Sequence, residues 1–272
     1  MVDHLAFSDE NAERIAAVES FFGGSGKPLA EYGRVLVGEG RLLKLCRRSP
    51  QPKMFFLFND ILVYGSIIFH GRWYKNQHII PLEDIVVEDL EDSLDMKNQW
   101  LIRTPRKSFY VSAASPNEKQ EWLKHIQECR AKHLVKSGRA PNNNFAATWI
   151  PDRASAICMR CSDKFSVTHR RHHCRQCGFV VCSSCSKGRF VIRDISPKPV
   201  RVCVLCFQAL QAKHKWTHTV DKNWSDEDEL SIPMYESSSE EDSDERYEDH
   251  RPTQWMQSQN HIENSSWSSY IR

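Results

Sequence analysis

Eight of the ten cysteines in this chain fall into four Cys-x-x-Cys pairs: Cys158/Cys161, Cys174/Cys177, Cys182/Cys185 and Cys203/Cys206. Two intervening residues let both thiolates of a pair reach one tetrahedral metal ion from a single tight turn. Four pairs therefore supply two closed sites of four thiolates each, and zinc is the ion that suits them. A closed site keeps no position open for water, so both ions are expected to be structural. The surrounding stretch, Trp149 to Gln211, holds few large apolar side chains. It must draw its folding energy from metal, about 10–16 kcal/mol per site in small zinc peptides. Spacing alone leaves the pairing open. Pairs one and two could share an ion, or pairs one and three could do so in a cross-brace, and the short Gly178-to-Val181 stretch is consistent with the cross-brace. Cys46 and Cys129 have no paired spacing and read as small buried apolar side chains.

The formal net charge of +2 is a cancellation. Residues 1–224 carry a net +12 and residues 225–272 a net −10, while residues 146–215 alone carry +10. A basic patch of that density seeks phosphate, on nucleic acid, lipid or a phosphoprotein. No apolar run approaches the ~18 residues of a membrane span. Met1-Val2-Asp3-His4 opens without a basic-then-apolar leader pattern, so a cytosolic setting is expected, and there cysteine pairs bind metal rather than form disulfides.

Ahead of the cysteines the pattern is of strands. Residues 8–22 read as a helix capped by Ser8 or Asp9, with Ala12, Ile15, Ala16 and Phe22 near one face. It is either docked on the next unit or free to bind a partner. Seven short strands follow: Val35–Leu45, Lys53–Phe58, Ile61–Tyr64, Trp73–Ile80, Ile85–Leu90, Gln99–Arg103 and Ser108–Ala113. Gly38 and Gly40 allow a strong bend in the first, and Asn59-Asp60 is a two-residue hairpin signal. Ser115, Pro116 and Glu118 then start a helix with a capping box, and Trp122, Leu123, Ile126 and Cys129 form its apolar face. Seven strands closed by a capped helix with a buried Trp resemble a pleckstrin homology (PH) domain over residues 35–131. The fold class expected is therefore multidomain α+β. A helix and junction (1–34) lead into a seven-stranded PH-like barrel with its C-terminal helix. A linker (132–148), a small two-zinc finger (149–211) and a disordered acidic tail (212–272) follow.

Three blocks around the cysteine pairs decide what the finger resembles. They are Trp149-Ile150-Pro151-Asp152, then Arg170-Arg171-His172-His173-Cys174-Arg175-Gln176-Cys177-Gly178, then Arg201-Val202-Cys203. These match the WxxD, RRHHCRxCG and RVC signatures of the FYVE zinc finger at every signature position. The resemblance implies the cross-brace: Cys158, Cys161, Cys182 and Cys185 on one zinc, Cys174, Cys177, Cys203 and Cys206 on the other. It implies binding of phosphatidylinositol 3-phosphate (PI3P), the lipid that marks early endosomes. By resemblance Arg171, His172, Arg175 and Arg201 hold the phosphates, Arg175 and Arg201 closing on the 3-phosphate. Asp152 and His173 bond the inositol hydroxyls, and Arg170 completes the basic strand. Arginine forks suit a phosphate monoester, with its charge of about −1.5 to −2 and three acceptor oxygens. Trp149 is expected to pack. Val167 and Thr168 occupy the tip of what is, by resemblance, the membrane-insertion loop, and Lys164 is interfacial. The adjacent imidazoles of His172 and His173 predict tighter PI3P binding as pH falls from about 7.5 to 6.

In the PH-like unit Lys44, Arg47, Arg48 and Lys53 sit where inositide-binding members carry basic residues. The usual basic-x-Arg ending is missing from Lys53-Met54-Phe55, which weakens the lipid reading: this face binds a second phosphoinositide, binds a protein ligand, or is simply solvated. A small PH unit followed by a FYVE finger resembles the Phafin family of endosomal adaptors over nearly the whole chain. That resemblance implies endosome fusion, endolysosomal traffic and autophagy, with small GTPases among its trafficking partners. It places the chain in the cytoplasm and, peripherally, on early endosomes and late endosomes or lysosomes. No enzymatic activity is expected, since no nucleophile–base constellation or phosphate-cradling glycine loop is present. Only about 34 residues precede the PH-like unit, too few for a Rho exchange domain. Two alternatives are weighed against the adaptor. A RING-type ubiquitin ligase usually places a His among its ligands, whereas all eight here are Cys. A basic nucleic-acid reader would need a base-reading helix or a stacking platform, and neither is evident, so no nucleic-acid partner is expected. The tail, with Asp226–Glu229 and Glu240–Glu245, is either solubilising or autoinhibitory in cis, and Ser237, Ser238 and Ser239 fit acidophilic kinases. On the autoinhibitory reading, deleting residues 225–272 raises lipid affinity.

Overall fold

The computed structural model describes residues 8–68, 73–92, 96–220 and 252–256. A first helix, α1 (Asp9–Phe22), is capped by the Ser8 hydroxyl, which accepts the Asn11 amide at 3.2 Å. Seven strands follow: β1 (Leu36–Leu45), β2 (Pro50–Phe58), β3 (Ile61–Ile68), β4 (Trp73–Pro81), β5 (Val86–Asp89), β6 (Gln99–Arg103) and β7 (Phe109–Ser112). All pair antiparallel in the order β4-β3-β2-β1-β7-β6-β5, so β1 joins the two halves of a strongly bent sheet. The expected seven strands and their order along the chain are those observed.

Helix α2 (Pro116–Ser137) closes one end. The Ser115 hydroxyl accepts the Glu118 amide at 3.2 Å, while the Glu118 carboxylate returns to the Ala114 amide at 3.0 Å. That reciprocal cap fixes where the helix starts, and so where its apolar face points. Trp122, Leu123, Ile126 and Cys129 all enter a core built from Leu42, Phe55, Leu57, Trp100 and Val111. Burial pushes the Cys129 thiol up to about 11, consistent with a packing role. The helix runs through Ser137 to a left-handed Gly138, so the first turns of the expected linker belong to α2.

On the outer face of the sheet α1 buries Ile15, Val18 and Phe22 against Phe56, Phe58, Val63 and Tyr74. The Asn11 side chain ties it to the chain before β1, donating to the Arg34 carbonyl at 2.9 Å and accepting the Leu36 amide at 3.1 Å. Of the two readings of this helix, the docked one is observed.

The second unit has little regular structure: β8 (His172–His173) pairs β9 (Val180–Val181), β10 (Arg189–Phe190) pairs β11 (Val200–Arg201), and α3 (Val204–Val220) ends it. Its core consists of the cysteines with Val181 and Val202, edged by Phe165, Phe179, Phe190 and Phe207.

Within the expected tail, α3 continues through Val220 and one further short segment joins the sheet. Residues Gln254–Trp255 form β12, which pairs antiparallel with β1 in the register Gly38↔Trp255 and Glu39↔Gln254. The Met256 amide donates to the Val37 carbonyl at 2.9 Å. The Trp255 ring packs edge-on against Trp122 at 4.8 Å, stacks on His125 at 4.1 Å, and its Nε1 donates to Glu121 at 2.9 Å. Trp122 Nε1 donates to the Thr253 hydroxyl at 3.0 Å, and that hydroxyl bonds Glu118. Gly38 and Gly40 are the notch that admits the strand. A Cβ on Gly38 would lie 2.2 Å from the Trp255 ring, and one on Gly40 2.3 Å from the Thr253 hydroxyl. An apolar side chain with a seat and an unpaired edge of β1 outweigh the polar composition of the flanking tail. The acidic runs and Ser237–Ser239 lie outside the described residues.

Gly38→Ala, Gly40→Ala and Trp255→Ala are each expected to release β12 and destabilise the first unit by about 1–3 kcal/mol. Hydrogen exchange should show the Met256 amide losing protection in all three variants. A Met256 amide as slow to exchange in Gly38→Ala as in the parent would refute the notch.

Candidate functional site

The eight paired cysteines gather into two clusters. Cys158, Cys161, Cys182 and Cys185 form one and Cys174, Cys177, Cys203 and Cys206 the other, the four Sγ atoms of each lying within 4.8 Å of one another. This is the cross-brace arrangement, and no histidine among the described residues enters either cluster. Sγ separations of 3.9 Å for Cys161–Cys182 and 4.0 Å for Cys177–Cys203 suit the ~3.8 Å edge of a tetrahedron with ~2.3 Å metal–sulfur bonds. Backbone amides already point at the sulfurs: Cys182 at Cys158 (3.3 Å), Cys185 at Cys182 (3.4 Å) and Cys203 at Cys174 (3.2 Å).

The electrostatics call for a cation. A hydrogen bond from Cys177, with backbone amides, pulls the Cys174 thiol down to about 4 despite burial. Burial opposes ionisation of Cys158, but the amides of Cys161, Cys182 and Arg160 outweigh it and bring that thiol to about 6. Cys177 is pushed up, first by its bond to Cys174 and then by burial. Like charges this close cannot all ionise without a compensating ion. Arg160 supplies part of the compensation at the second cluster, donating to Cys203 at 3.2 Å and Cys177 at 3.5 Å. The donor set fits zinc, a borderline-soft ion that favours thiolate.

Because the clusters interleave, the segments between the ligands are held from both ends. Strand β8 leads directly into Cys174, and β11 into Cys203. The Arg175 amide donates to the Arg201 carbonyl at 2.9 Å, which joins the two basic segments. Arg201 is aimed by bonds to the Ser186 carbonyl (2.8 Å) and hydroxyl (3.1 Å), and Arg175 by one to the His173 carbonyl (2.8 Å). Burial is the first cause that lowers the Arg175 guanidinium to about 10, and the charges of Arg47, Arg189 and Arg201 follow. A half-buried arginine surrounded by arginines is stabilised by a polyanion more than by water.

Trp149 is the wall of this pocket. Its indole stacks on His173 with centroids 4.9 Å apart and planes 12° apart, and the Arg175 guanidinium lies 4.3 Å from its centroid. Gly178 makes the fit possible. It sits at φ +75°, and a Cβ there would meet the Thr148 carbonyl at 2.2 Å. The Gly178 carbonyl accepts the Ile150 amide at 3.1 Å, and His173 Nε2 bonds the Ile150 carbonyl at 2.7 Å. Asp152 Oδ1 is buried and makes no hydrogen bond among the described residues, 3.7 Å from His173 Nε2.

A family model described as FYVE zinc finger matches residues 148–212, and one described as PH domain matches residues 36–131. The chain is 50% identical to human "Pleckstrin homology domain-containing family F member 1" over 277 residues, 99% of each chain. It is 49% identical to human family F member 2 over 239 residues, 88% of this chain and 96% of that one. The chain belongs to the pleckstrin homology domain-containing family F. The Phafin resemblance read from the sequence names this same family. Among solved structures, the FYVE unit of this family F chain is similar to the LM5-1 FYVE domain of Leishmania major. That match has 42% identity, covers 24% of this chain and 77% of that one, and has a TM-score of 0.22.

The predicted site residues divide by position. His172, Arg175 and Arg201 share one cluster, with Asp152 and His173 beside it. Arg171 is engaged elsewhere, 4.7 Å from the Phe165 centroid and bonded at 3.4 Å to the Ser155 carbonyl. Arg170 donates to the Val167 carbonyl at 3.2 Å and so braces the loop. Val167 is 86% exposed at that loop's tip, with Thr168 exposed beside it, and Lys164 is exposed. His173 is 3% exposed and its Nε2 is committed to the Ile150 carbonyl, so it fastens the Trp149 wall. Burial and surrounding arginines lower the pKa of His172, and burial lowers that of His173. Both imidazoles stay neutral to lower pH than a free histidine, which extends the low-pH end of the predicted tightening.

The four basic residues of the PH unit do not form one cluster. Lys44 is fully buried, its ammonium 4.9 Å from the Phe109 centroid, and Lys53 donates to the Ser66 hydroxyl at 2.7 Å. Arg47 and Arg48 are exposed on the β1–β2 turn. Sequence reasoning missed Arg189, which β10–β11 pairing sets opposite Arg201. It also missed Arg160. Neither stands in a signature block, and only the alternation of basic residues around the cysteines hinted at them.

Chelation is expected to unfold the unit spanning residues 148–212 while the PH core stays intact. In circular dichroism and tryptophan fluorescence, a chelator should produce one partial transition, and heating a second. A chelated chain with an unaltered FYVE unit would refute structural metal.

Proposed function

We propose that this family F chain is a non-enzymatic adaptor that binds PI3P through its FYVE unit and holds two structural Zn²⁺ ions. By this reading it is recruited to early endosomes and serves endosomal and lysosomal traffic, fusion and autophagy. The observation that carries the reading is the pocket itself. His172, Arg175 and Arg201, drawn from two separate segments, converge beside an Asp152 carboxylate oxygen that has no hydrogen-bond partner among the described residues. A phosphate satisfies the arginine forks, and inositol hydroxyls satisfy the carboxylate. An acceptor at Asp152 also disfavours a second phosphate in its place, which is the basis for selecting PI3P over more highly phosphorylated inositides.

Retention at a membrane combines weak terms. Val167 inserts for at most about 1.5–3 kcal/mol, and each neighbouring Lys or Arg adds about 1 kcal/mol on an anionic leaflet. Insertion and charge hold the chain at a surface, and the pocket chooses which surface. No helix among the described residues is long and apolar enough to cross a membrane. The PH unit takes a second phosphoinositide or a protein, and small GTPases are candidate trafficking partners.

Vesicle flotation across the phosphoinositides should show PI3P-selective binding. Arg175→Ala should lower it at least about a hundredfold, the loss of a buried charged pair to phosphate. Val167→Glu should weaken vesicle binding about tenfold and leave soluble head-group affinity unchanged. Metal analysis should return two equivalents of zinc per chain. Equal binding to all phosphoinositides, or an Arg175→Ala protein that still selects PI3P, would overturn the reading.

A further inference from the structure

We propose that Arg47, on the β1–β2 turn of the PH unit, is a member of the phosphoinositide head-group site of the FYVE unit, so that one site is built across both units. The inference deepens the PI3P reading and rests on it.

Three observations place Arg47 there. Its carbonyl accepts the Asp152 amide at 3.2 Å, so its backbone is bonded directly to a residue of the pocket. Its guanidinium lies 5.9 Å from the centroid of Trp149, the ring that also carries Arg175 at 4.3 Å and Lys107, from the β6–β7 turn, at 4.9 Å. One indole thus serves as a platform for cations from both units. The third observation is commitment. Arg175, Arg201 and Arg171 are each aimed by hydrogen bonds to carbonyls, whereas the exposed Arg47 side chain donates none among the described residues. Its five donors are available to a ligand.

The placement is not that of a loosely tethered neighbour. The chain between the units is fastened to the PH surface at successive points. Arg139 pairs with Glu83, the Asn142 amide bonds the Glu83 carbonyl (3.3 Å), and Ala146 bonds Thr104 through its amide (3.0 Å) and Ser108 through its carbonyl (2.6 Å). Asp152 then bonds Arg47, so the strap ends at the pocket. The charge of Arg47 reaches His172, His173 and Arg175. With Arg175, Arg189 and Arg201, it makes a fourth guanidinium in a space where Asp152 is the acidic neighbour. Such crowding is relieved by an anion with more than one phosphate. PI3P meets that need with its 3-phosphate and its phosphodiester, and the diester faces the membrane side.

The test uses the full chain and three readouts: neutral vesicles with PI3P, the same vesicles without it, and water-soluble short-chain PI3P. Arg47→Ala should weaken both PI3P-vesicle and soluble PI3P binding by about threefold to tenfold, the usual effect of one exposed charge-assisted contact. Lys124→Ala removes the same charge from an exposed position on α2, outside either proposed lipid face, and should leave soluble binding unchanged. In the milder Arg175→Lys background, Arg47→Ala should cost less than it does alone, because both side chains serve one ligand. Loss on vesicles alone would assign Arg47 to bulk attraction for the surface and overturn the proposal. Fully additive losses would assign it to a separate PH site, with the same result. An Arg175→Ala chain that binds PI3P normally would remove the head-group reading itself, and this inference with it. An Arg47→Ala chain that binds normally where Arg175→Ala does not would remove the inference alone.

Discussion

Crowded thiolates are the constraint on which the FYVE unit depends. Four sulfurs within 4.8 Å of one another, twice over, cannot all be anionic without a cation, and cannot stay that close without a reason. Metal affinity is therefore folding energy here. The interleaving of the two clusters turns that energy into function. His172, His173 and Arg175 lie between ligands of one cluster and are flanked by those of the other, and Arg201 precedes Cys203 by two positions. A pocket in which the charges of Arg189 and Arg201 bear on Arg175 repels itself. A rigid metal-braced frame holds the repulsion in place until an anion arrives, which is the physical meaning of preorganisation.

Trp149 carries the second half of the design. A tryptophan at the junction could have been a simple plug, but its faces and edge meet His173, Arg175, Arg47 and Lys107. An aromatic face accepts several cations without neutralising any of them. The ring can therefore pack arginines close together and leave their charge for phosphate. Gly178 permits it to sit there, because any Cβ would collide with the Thr148 carbonyl. The glycine of the RRHHCRxCG block is thus as much a part of the pocket as its arginines.

What the sequence made legible was local. Ser115 and Glu118 specify a helix start within four residues, the Asn59-Asp60 turn specifies a hairpin, and Cys-x-x-Cys specifies half a metal site. The signature blocks supplied the cross-brace and most of the pocket through resemblance. What stayed hidden was set by partners distant in sequence. Arg189 becomes a pocket residue only because β10 pairs with β11. Arg47 read as a PH residue because it stands on a PH turn, and no spacing rule could bring it to Asp152, 105 positions away. Lys44 read as a lipid ligand by position, yet β1 alternation sends it inward beside Leu42 and Cys46. Gly38 and Gly40 were legible as a break in a strand pattern, but not as a notch for Trp255.

Strand β12 changes what a tail truncation can mean. The autoinhibitory reading treats residues 225–272 as one acidic element, yet the segment contains a piece of the PH fold. Removing it exposes the edge of β1 at Gly38 and Glu39, uncovers Trp122 and leaves the Glu118 and Glu121 carboxylates without Thr253 and Trp255. A bare strand edge beside an exposed tryptophan favours association between chains and nonspecific adhesion to lipid. A truncated protein would thus bind vesicles more tightly for a reason unrelated to lost negative charge. Substituting Asn and Gln for the acidic residues between Asp226 and Glu245 keeps β12 seated and changes charge alone. Only a gain in affinity from that chain, steepest at low salt, speaks for electrostatic occlusion of the basic pocket.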